Sequence, residues 1–189
     1  ASIQWASHRP HRDYLPALQA LTTALVFTLP KVHSTHLGVL TEAQAARPVC
    51  DRRTLWQLGL SGDRPIVLVM AGSPQGMGLL RTLAQALREW AHGGVACDLV
   101  VLSSESHSYH MPLQRELTLL REHHDADLAT HTGPAVTSLR VLRLDELSAA
   151  QLGTLVSLAR ITLQADGHAL MYQVKAWVAA HGVSMASPW

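Results

Sequence analysis

The sequence predicts an α/β domain, a three-layer Rossmann-like fold with a mainly parallel sheet of about four strands. Two observations lead to this prediction. Short apolar runs alternate four times with amphipathic segments, and short connections join them. In addition, 48% of the 189 residues are apolar and only 15% are charged, so the chain can bury a substantial core and is not of the disordered class.

An N-terminal helix and linker precede this domain. We place the helix and linker at residues 1–54 and the Rossmann-like α/β domain at 55–189. Leucines recur at helical spacing near the start and predict a helix over 10–28. Residues 30–54 are mixed in character and include prolines and a glycine, which predicts a linker that crosses a surface.

Four apolar segments predict the strands of the sheet. The first two are continuous apolar runs, as expected of parallel strands that are buried on both faces. Cys97 begins the second run and is expected to be a small buried side chain, while Asp98 beside it is expected to act as a cap or to form a pair rather than to catalyse. The predicted strands cover 65–70, 97–102, 139–144 and 160–163.

An amphipathic segment after each strand predicts a helix. Gly93 and Gly94 close the first of these helices, which fits a left-handed C-terminal cap. Ser148 and Gln151 have the spacing of a capping box and predict the start of the third helix. The predicted helices cover 78–92, 112–123, 148–159 and 168–180.

A glycine-rich turn after the first strand offers an alternative function, that of a small NAD(P)-binding oxidoreductase-like domain. Gly72, Gly76 and Gly78 have the G-x-x-x-G-x-G spacing of the phosphate loop in short-chain dehydrogenases. Such glycines let the backbone approach a pyrophosphate, and the following helix supplies free N–H groups. The second strand runs on to Glu105, where an acidic residue would meet the ribose hydroxyls.

The remaining chemistry of a short-chain dehydrogenase is missing from the sequence. That chemistry requires a tyrosine acid and a lysine four residues further on, whereas Tyr172 and Lys175 lie three apart. A glycine-rich turn between a strand and a helix also arises for steric reasons alone. We therefore expect no cofactor and keep the glycine loop as the alternative interpretation.

The chain contains 12 histidines, a high count that raises the question of a metal site. No His-Glu-x-x-His or Cys-x-x-Cys motif occurs, so the sequence predicts no metal site. A G-x-S-x-G nucleophile turn and a Walker loop are also missing, and no catalytic residue is assigned. The close histidine pairs are His33 with His36, His107 with His110, and His123 with His124.

Charge and hydropathy narrow the expected location and partners. The formal net charge is +1, from 15 basic and 14 acidic residues, which gives no electrostatic reason to expect nucleic acid as a partner. The most apolar early stretch, 14–30, is too short and too polar to span a bilayer, and no secretory leader pattern begins the sequence. We expect a cytoplasmic protein, alone or within an inner-membrane-associated parent, without direct membrane insertion.

The string from Leu55 to Val69 resembles a known family. It reads L-W-Q-L-G-L-S-G-D-R-P-I-V-L-V, and it is similar to L-W-x-x-G-I-S-G-D-x-P-I-V-L-V in the cyclic β-1,2-glucan synthases. The likeness continues through the helix that contains Trp90 and the strand that begins at Asp98, and it includes Ser108-Tyr109. In that family the turn after the first strand is D-P-E-D-L-G-like, so the resemblance implies a tight turn rather than a nucleotide loop.

The resemblance implies an internal α/β segment of a large, multidomain, membrane-associated enzyme. The parents combine a glycosyltransferase part with a part similar to glycoside hydrolase family 94 phosphorylases, whose carboxylates act in helical barrels. Nothing in this sequence matches such a barrel, so no catalytic residue is carried over. The implied function is that of a non-catalytic accessory module for domain packing or glucan positioning. Its implied partners are neighbouring domains of the synthase and β-1,2-glucan.

Candidate contact residues follow from this resemblance and from the chemistry of aromatic faces, which stack on sugar rings. Two plainer interpretations compete with it: Ser61-Gly62-Asp63 is a turn before a buried strand, and Trp90 belongs to the core. A free-standing interaction domain descended from the synthase segment is a third hypothesis, beside the accessory module and the NAD(P)-binding domain. The candidate glucan or domain-interface residues are Trp56, Ser61, Gly62, Asp63 and Tyr109.

Overall fold

The computed structural model describes residues 14–26, 52–106, 111–130 and 134–180. Helices and strands alternate along these residues, as the sequence predicts. The elements are α1 (Tyr14–Val26), α2 (Arg52–Gln57), β1 (Ile66–Ala71), α3 (Met77–His92), β2 (Cys97–Ser103), α4 (Pro112–Thr130), β3 (Thr137–Arg143), α5 (Ala149–Leu158), β4 (Ala159–Ala165) and α6 (Leu170–Ala180).

The four strands form one parallel sheet in the order β3-β2-β1-β4. In the centre, Leu68 of β1 lies between Val100 of β2 and Thr162 of β4. Residues on β2 are buried throughout, whereas β4 alternates between buried and half-buried side chains, because β4 is an edge strand. The sheet and its helices confirm the predicted three-layer Rossmann-like fold.

Chain direction decides which face each helix covers. Parallel strands are joined by right-handed crossovers, and the chain moves from β1 outward to β3 and then returns across the sheet to β4. The reversal places α5 on the face opposite α3 and α4. Accordingly, α1, α3, α4 and α6 share one apolar core with alternate sheet residues such as Val67 and Val101, while α2 and α5 cover Leu68 and Val100 on the other face.

The N-terminal helix α1 packs against α6 and β4, and a hydrogen bond also ties it to α3. Trp90 of α3 is buried, and its Nε1 donates a hydrogen bond of 2.7 Å to Thr22 Oγ1 of α1. The interpretation of Trp90 as a core residue is therefore confirmed. Of the predicted helix at 10–28, the structure describes 14–26, and that part is helical.

Several predicted boundaries change in the structure. α4 continues to Thr130, beyond the predicted end at 123, because no glycine or proline interrupts the segment. β4 runs to Ala165 rather than 163, since its polar residues alternate outward from a buried apolar set. The predicted linker at 30–54 is corrected only at its end, where α2 begins at Arg52 and Leu55 is buried against α5. The rest of that linker, 30–51, lies outside the described residues.

The predicted caps are present. Gly94 has a φ of 79°, in the left-handed region that favours glycine, and follows the end of α3. Ser148 accepts from the backbone N–H of Gln151, whose side chain accepts in return from the Ser148 N–H. Together these contacts form the predicted capping box of α5.

Candidate functional site

Trp56 lies on the short helix α2, near the edge of the sheet where the strands begin, which we call the amino edge. The neighbouring Leu55 is buried and anchors the helix, whereas Trp56 is 63% exposed. Its indole Nε1 donates a hydrogen bond of 3.1 Å to the carbonyl oxygen of Ser61. The polar end of this side chain is therefore satisfied by the protein, and its ring is held in place at the surface.

Two turns, each with a glycine in the left-handed region, bring the Ser61 carbonyl next to the Trp56 indole. Gly59 (φ 73°) ends α2, and Gly62 (φ 76°) lies in the next turn, conformations that L side chains rarely adopt. Between them, the Leu60 N–H donates to the Leu55 carbonyl at 2.9 Å. Ser61 Oγ then accepts from the Asp63 N–H at 3.3 Å.

The structure thus brings together four of the five candidate contact residues, Trp56, Ser61, Gly62 and Asp63. The turn interpretation of Ser61-Gly62-Asp63 is also confirmed, and it is compatible with a surface role because the turn supplies the oxygen that holds Trp56. The fifth candidate, Tyr109, lies outside the described residues.

A buried ion pair fixes this turn to the sheet. Arg64 Nη2 lies 3.0 Å from Asp98 Oδ1, and the Asp98 side chain is fully buried at the start of β2. Ser138 Oγ donates to the same oxygen at 2.6 Å. These contacts confirm that Asp98 forms a pair. They also join the turn before β1 to β2 and β3 at the amino edge, so the turn that holds Trp56 is supported by the sheet.

The glycine loop is explained largely by packing within the chain. A Cβ atom on Gly76 would collide with the carbonyl oxygen of Ala165, at the end of β4. A Cβ on Gly72 would lie 3.0 Å from Ser104 Oγ, whereas Gly78 has open space around it. The loop also bonds to itself, because the Gly76 and Met77 N–H groups donate to Ser73 and Pro74 carbonyls.

Glu105, which the NAD(P)-binding interpretation places at a ribose, instead accepts hydrogen bonds from α4. Its Oε1 accepts from the Leu113 N–H at 3.0 Å and its Oε2 from the Gln114 N–H at 2.9 Å. The carboxylate therefore caps the N-terminus of α4, where the helix dipole favours a negative charge. With both oxygens occupied, the contacts of Glu105 do not favour a dinucleotide.

Sequence reasoning missed a pair of side chains at the opposite edge of the sheet, where the strands end. Asp166 Oδ2 lies 2.9 Å from His168 Nδ1, and Asp166 Oδ1 accepts from the His168 N–H at 3.0 Å. Burial raises the pKa of Asp166, but these contacts outweigh it and leave the pKa lowered. His168 also stacks on Tyr172. The D-x-H spacing after β4 is the sequence signal for this pair, but both side chains are at least half exposed, so solvent screens their interaction.

A cavity of about 270 Å³ lies between the C-terminal ends of α3 and α4. His124, one of the histidines considered for metal binding, is 3% exposed in its wall. Burial lowers the pKa of His124 below its ordinary value of 6.5. No group of three metal-ligating side chains occurs among the described residues. The lining residues are Arg88, Ala91, His92, His124, Asp127, Leu128 and Thr130.

The fold defines the class of the protein, a three-layer Rossmann-like α/β domain. No family model matches the chain, and no curated protein is significantly similar to it. Among the helices that the structure describes, none has the length and apolar character needed to cross a bilayer.

Proposed function

We propose that this chain is a non-catalytic accessory module of a cyclic β-1,2-glucan synthase or a related glycosyltransferase or phosphorylase. In this role it packs beside the catalytic domains and positions glucan. One observation carries the proposal, namely the exposed Trp56 ring held by the Ser61 carbonyl. The residues that form this arrangement belong to the string that resembles the synthases.

The geometry of Trp56 suits a sugar ring better than it suits a core. An indole whose N–H is already bonded offers its flat apolar face without leaving a polar atom to satisfy. Its position is set by the turn and by the buried Leu55, so little side-chain freedom is lost when a ligand binds.

Polar groups on neighbouring segments can form hydrogen bonds with the hydroxyl groups of a sugar. Asp63 is exposed two residues after the Ser61 carbonyl, and its carboxylate accepts hydrogen bonds. The exposed Arg140 of β3 extends its guanidinium to Gly59, where a Cβ atom would lie 3.4 Å from Arg140 Cζ. An exposed aromatic face, with a carboxylate in the adjoining turn and a guanidinium near Gly59, supports glucan positioning by this module.

Calorimetric titration with β-1,2-linked gluco-oligosaccharides tests the proposal on the 189-residue chain. We expect saturable binding that weakens about fivefold or more in Trp56→Ala, because loss of a stacked aromatic contact costs roughly 1 kcal/mol or more. Trp56→Phe keeps an apolar ring and is expected to retain part of the affinity.

Tyr172→Ala is the matched control. Tyr172 is 69% exposed, as accessible as Trp56, but lies at the opposite edge of the sheet. The Tyr172→Ala variant is expected to bind the oligosaccharide with the same affinity as the unmodified chain. Equal losses in Trp56→Ala and Tyr172→Ala, or no binding to the unmodified chain at millimolar oligosaccharide, would contradict the proposal.

A further inference from the structure

His124 is a buried side chain whose polar atoms have no partner. Both ring nitrogens are inaccessible to solvent, and neither has a hydrogen-bond partner in the described part of the chain. Such atoms are rare in native proteins, because leaving a buried donor or acceptor unsatisfied costs roughly 1–3 kcal/mol. An imidazole in this state is tolerated as the neutral form, and protonation there requires a new partner.

Charged groups reach His124 from the two helices that pack around it. Asp125 and Asp127 favour the protonated imidazole, whereas Arg88 and His123 oppose it. His92 lies in the wall of the same cavity. Asp125, Asp127 and His123 belong to α4, and Arg88 and His92 belong to α3.

Asp127 is the carboxylate best placed to receive a proton donor from His124. It follows His124 by three residues on α4, so the two side chains share a face of the helix. Asp127 Oδ2 lies 3.0 Å from Arg88 Nη1 and ties α4 to α3. The same oxygen also lies 3.8 Å from His123 Nε2, but it is buried without a well-directed hydrogen bond, so it can accept one.

We propose that His124 and Asp127 form a proton-operated latch between the C-terminal ends of α3 and α4. With His124 neutral, Asp127 pairs with Arg88 and the latch is closed. When His124 takes up a proton, both ring nitrogens become donors, and the ring turns through the adjoining cavity onto Asp127 Oδ2. Asp127 then exchanges Arg88 for His124, and the ion pair that joins the C-terminal ends of the two helices is lost.

The exposure of Arg88 makes the exchange of partners on Asp127 feasible. The Arg88 side chain is 46% exposed in the closed state, so its guanidinium returns to water at little cost once released. The buried imidazolium, in contrast, gains a carboxylate partner that it needs. The inference is independent of the proposed function, because α3 and α4 lie on the face of the sheet opposite α2 and Trp56.

A titration followed by nuclear magnetic resonance tests the latch on the full chain. The ring signals of His124 are expected to titrate with a pKa below the ordinary histidine value of 6.5. Arg88→Gln should raise the pKa of His124, since it removes a repelling cation and frees the carboxylate. Asp127→Asn should lower it, since the imidazolium then has no partner.

Amide hydrogen exchange provides the second readout. As His124 titrates, protection of the last turns of α4 should fall by up to about fivefold, the range expected for a half-exposed ion pair. Asp127→Asn should already show this lower protection at neutral pH. His168→Gln, at the opposite edge of the sheet, is the control and should change neither readout. A His124 pKa that responds to neither variant, or α4 protection that stays constant through the titration, overturns the inference.

Discussion

At the scale of single residues, Gly76 is the clearest case in which packing requires a particular side chain. The residue that precedes α3 lies directly against the end of β4, and a Cβ atom at Gly76 has no space beside the Ala165 carbonyl. Gly78, two residues later, faces open space. Two glycines of one predicted motif therefore have different reasons to be present.

This contrast predicts opposite effects for two alanine substitutions. Gly76→Ala should destabilise the fold by about 1–3 kcal/mol, because the added methyl group forces α3 away from β4. Gly78→Ala is the matched control and should be neutral or stabilising by up to about 1 kcal/mol, since alanine is the better helix former. Urea unfolding measures both, and equal effects of the two substitutions would contradict the packing argument.

Residue roles were predictable where one local cause dominates. The left-handed Gly94, the buried Trp90 and the paired Asp98 follow from sequence position and side-chain chemistry. The capping of α4 by Glu105 was not predictable, because it depends on the path of the intervening chain. The burial of His124 was not predictable either, since it depends on how closely α3 approaches α4.

At the scale of elements, α1 depends on a specific bond as well as on apolar packing. Thr22 accepts from the buried Trp90 indole and itself donates to the Leu18 carbonyl at 2.7 Å. The adjacent Thr23 makes the same kind of bond within the helix, to Gln19, but is exposed. The two threonines therefore differ mainly in their contact with α3.

Thr22→Val should cost about 1–3 kcal/mol in stability, because it leaves the Trp90 N–H buried without an acceptor. The α1 amides should also exchange faster with solvent. Thr23→Val introduces the same side chain one position later and should change stability by less than about 0.5 kcal/mol. Similar effects of the two variants, measured by urea unfolding and hydrogen exchange, would show that the Trp90 bond does not hold α1.

Element types were more predictable than their ends. Continuous apolar runs identified β1 and β2, because both faces of each strand are covered by helices. The far end of α4 was missed, because its last turns carry mainly polar residues and bury little besides His124. The strand order was not predictable from patterning, since it depends on where the chain reverses after β3.

At the scale of the whole molecule, two buried groups limit stability on opposite sides of neutral pH. Burial, reinforced by the Asp98 carboxylate, raises the pKa of the Cys97 thiol from 9.0 to about 12. Burial lowers the pKa of His124 below 6.5. Each shift links proton binding to folding.

On the alkaline side, the unfolded chain releases the Cys97 proton above pH 9.0 while the folded chain keeps it, so stability should fall between 9.0 and about 12. On the acidic side, the unfolded chain binds the His124 proton first, so stability should fall as the pH drops below 6.5. Urea unfolding across this range, with Cys97→Ala, checks the first slope. An alkaline slope that persists unchanged in Cys97→Ala would contradict its assignment to Cys97.

The function proposed for this chain depends on glucan binding at the surface around Trp56. An amide and indole chemical-shift titration of the 189-residue chain with β-1,2-linked gluco-oligosaccharides tests this binding. Glucan binding at this surface predicts shifts concentrated at the Trp56 indole N–H and at the amides of residues 59–63, with none at the opposite edge near Tyr172. Shifts centred on the glycine loop at 72–78, or no shifts at all at millimolar oligosaccharide, would contradict it.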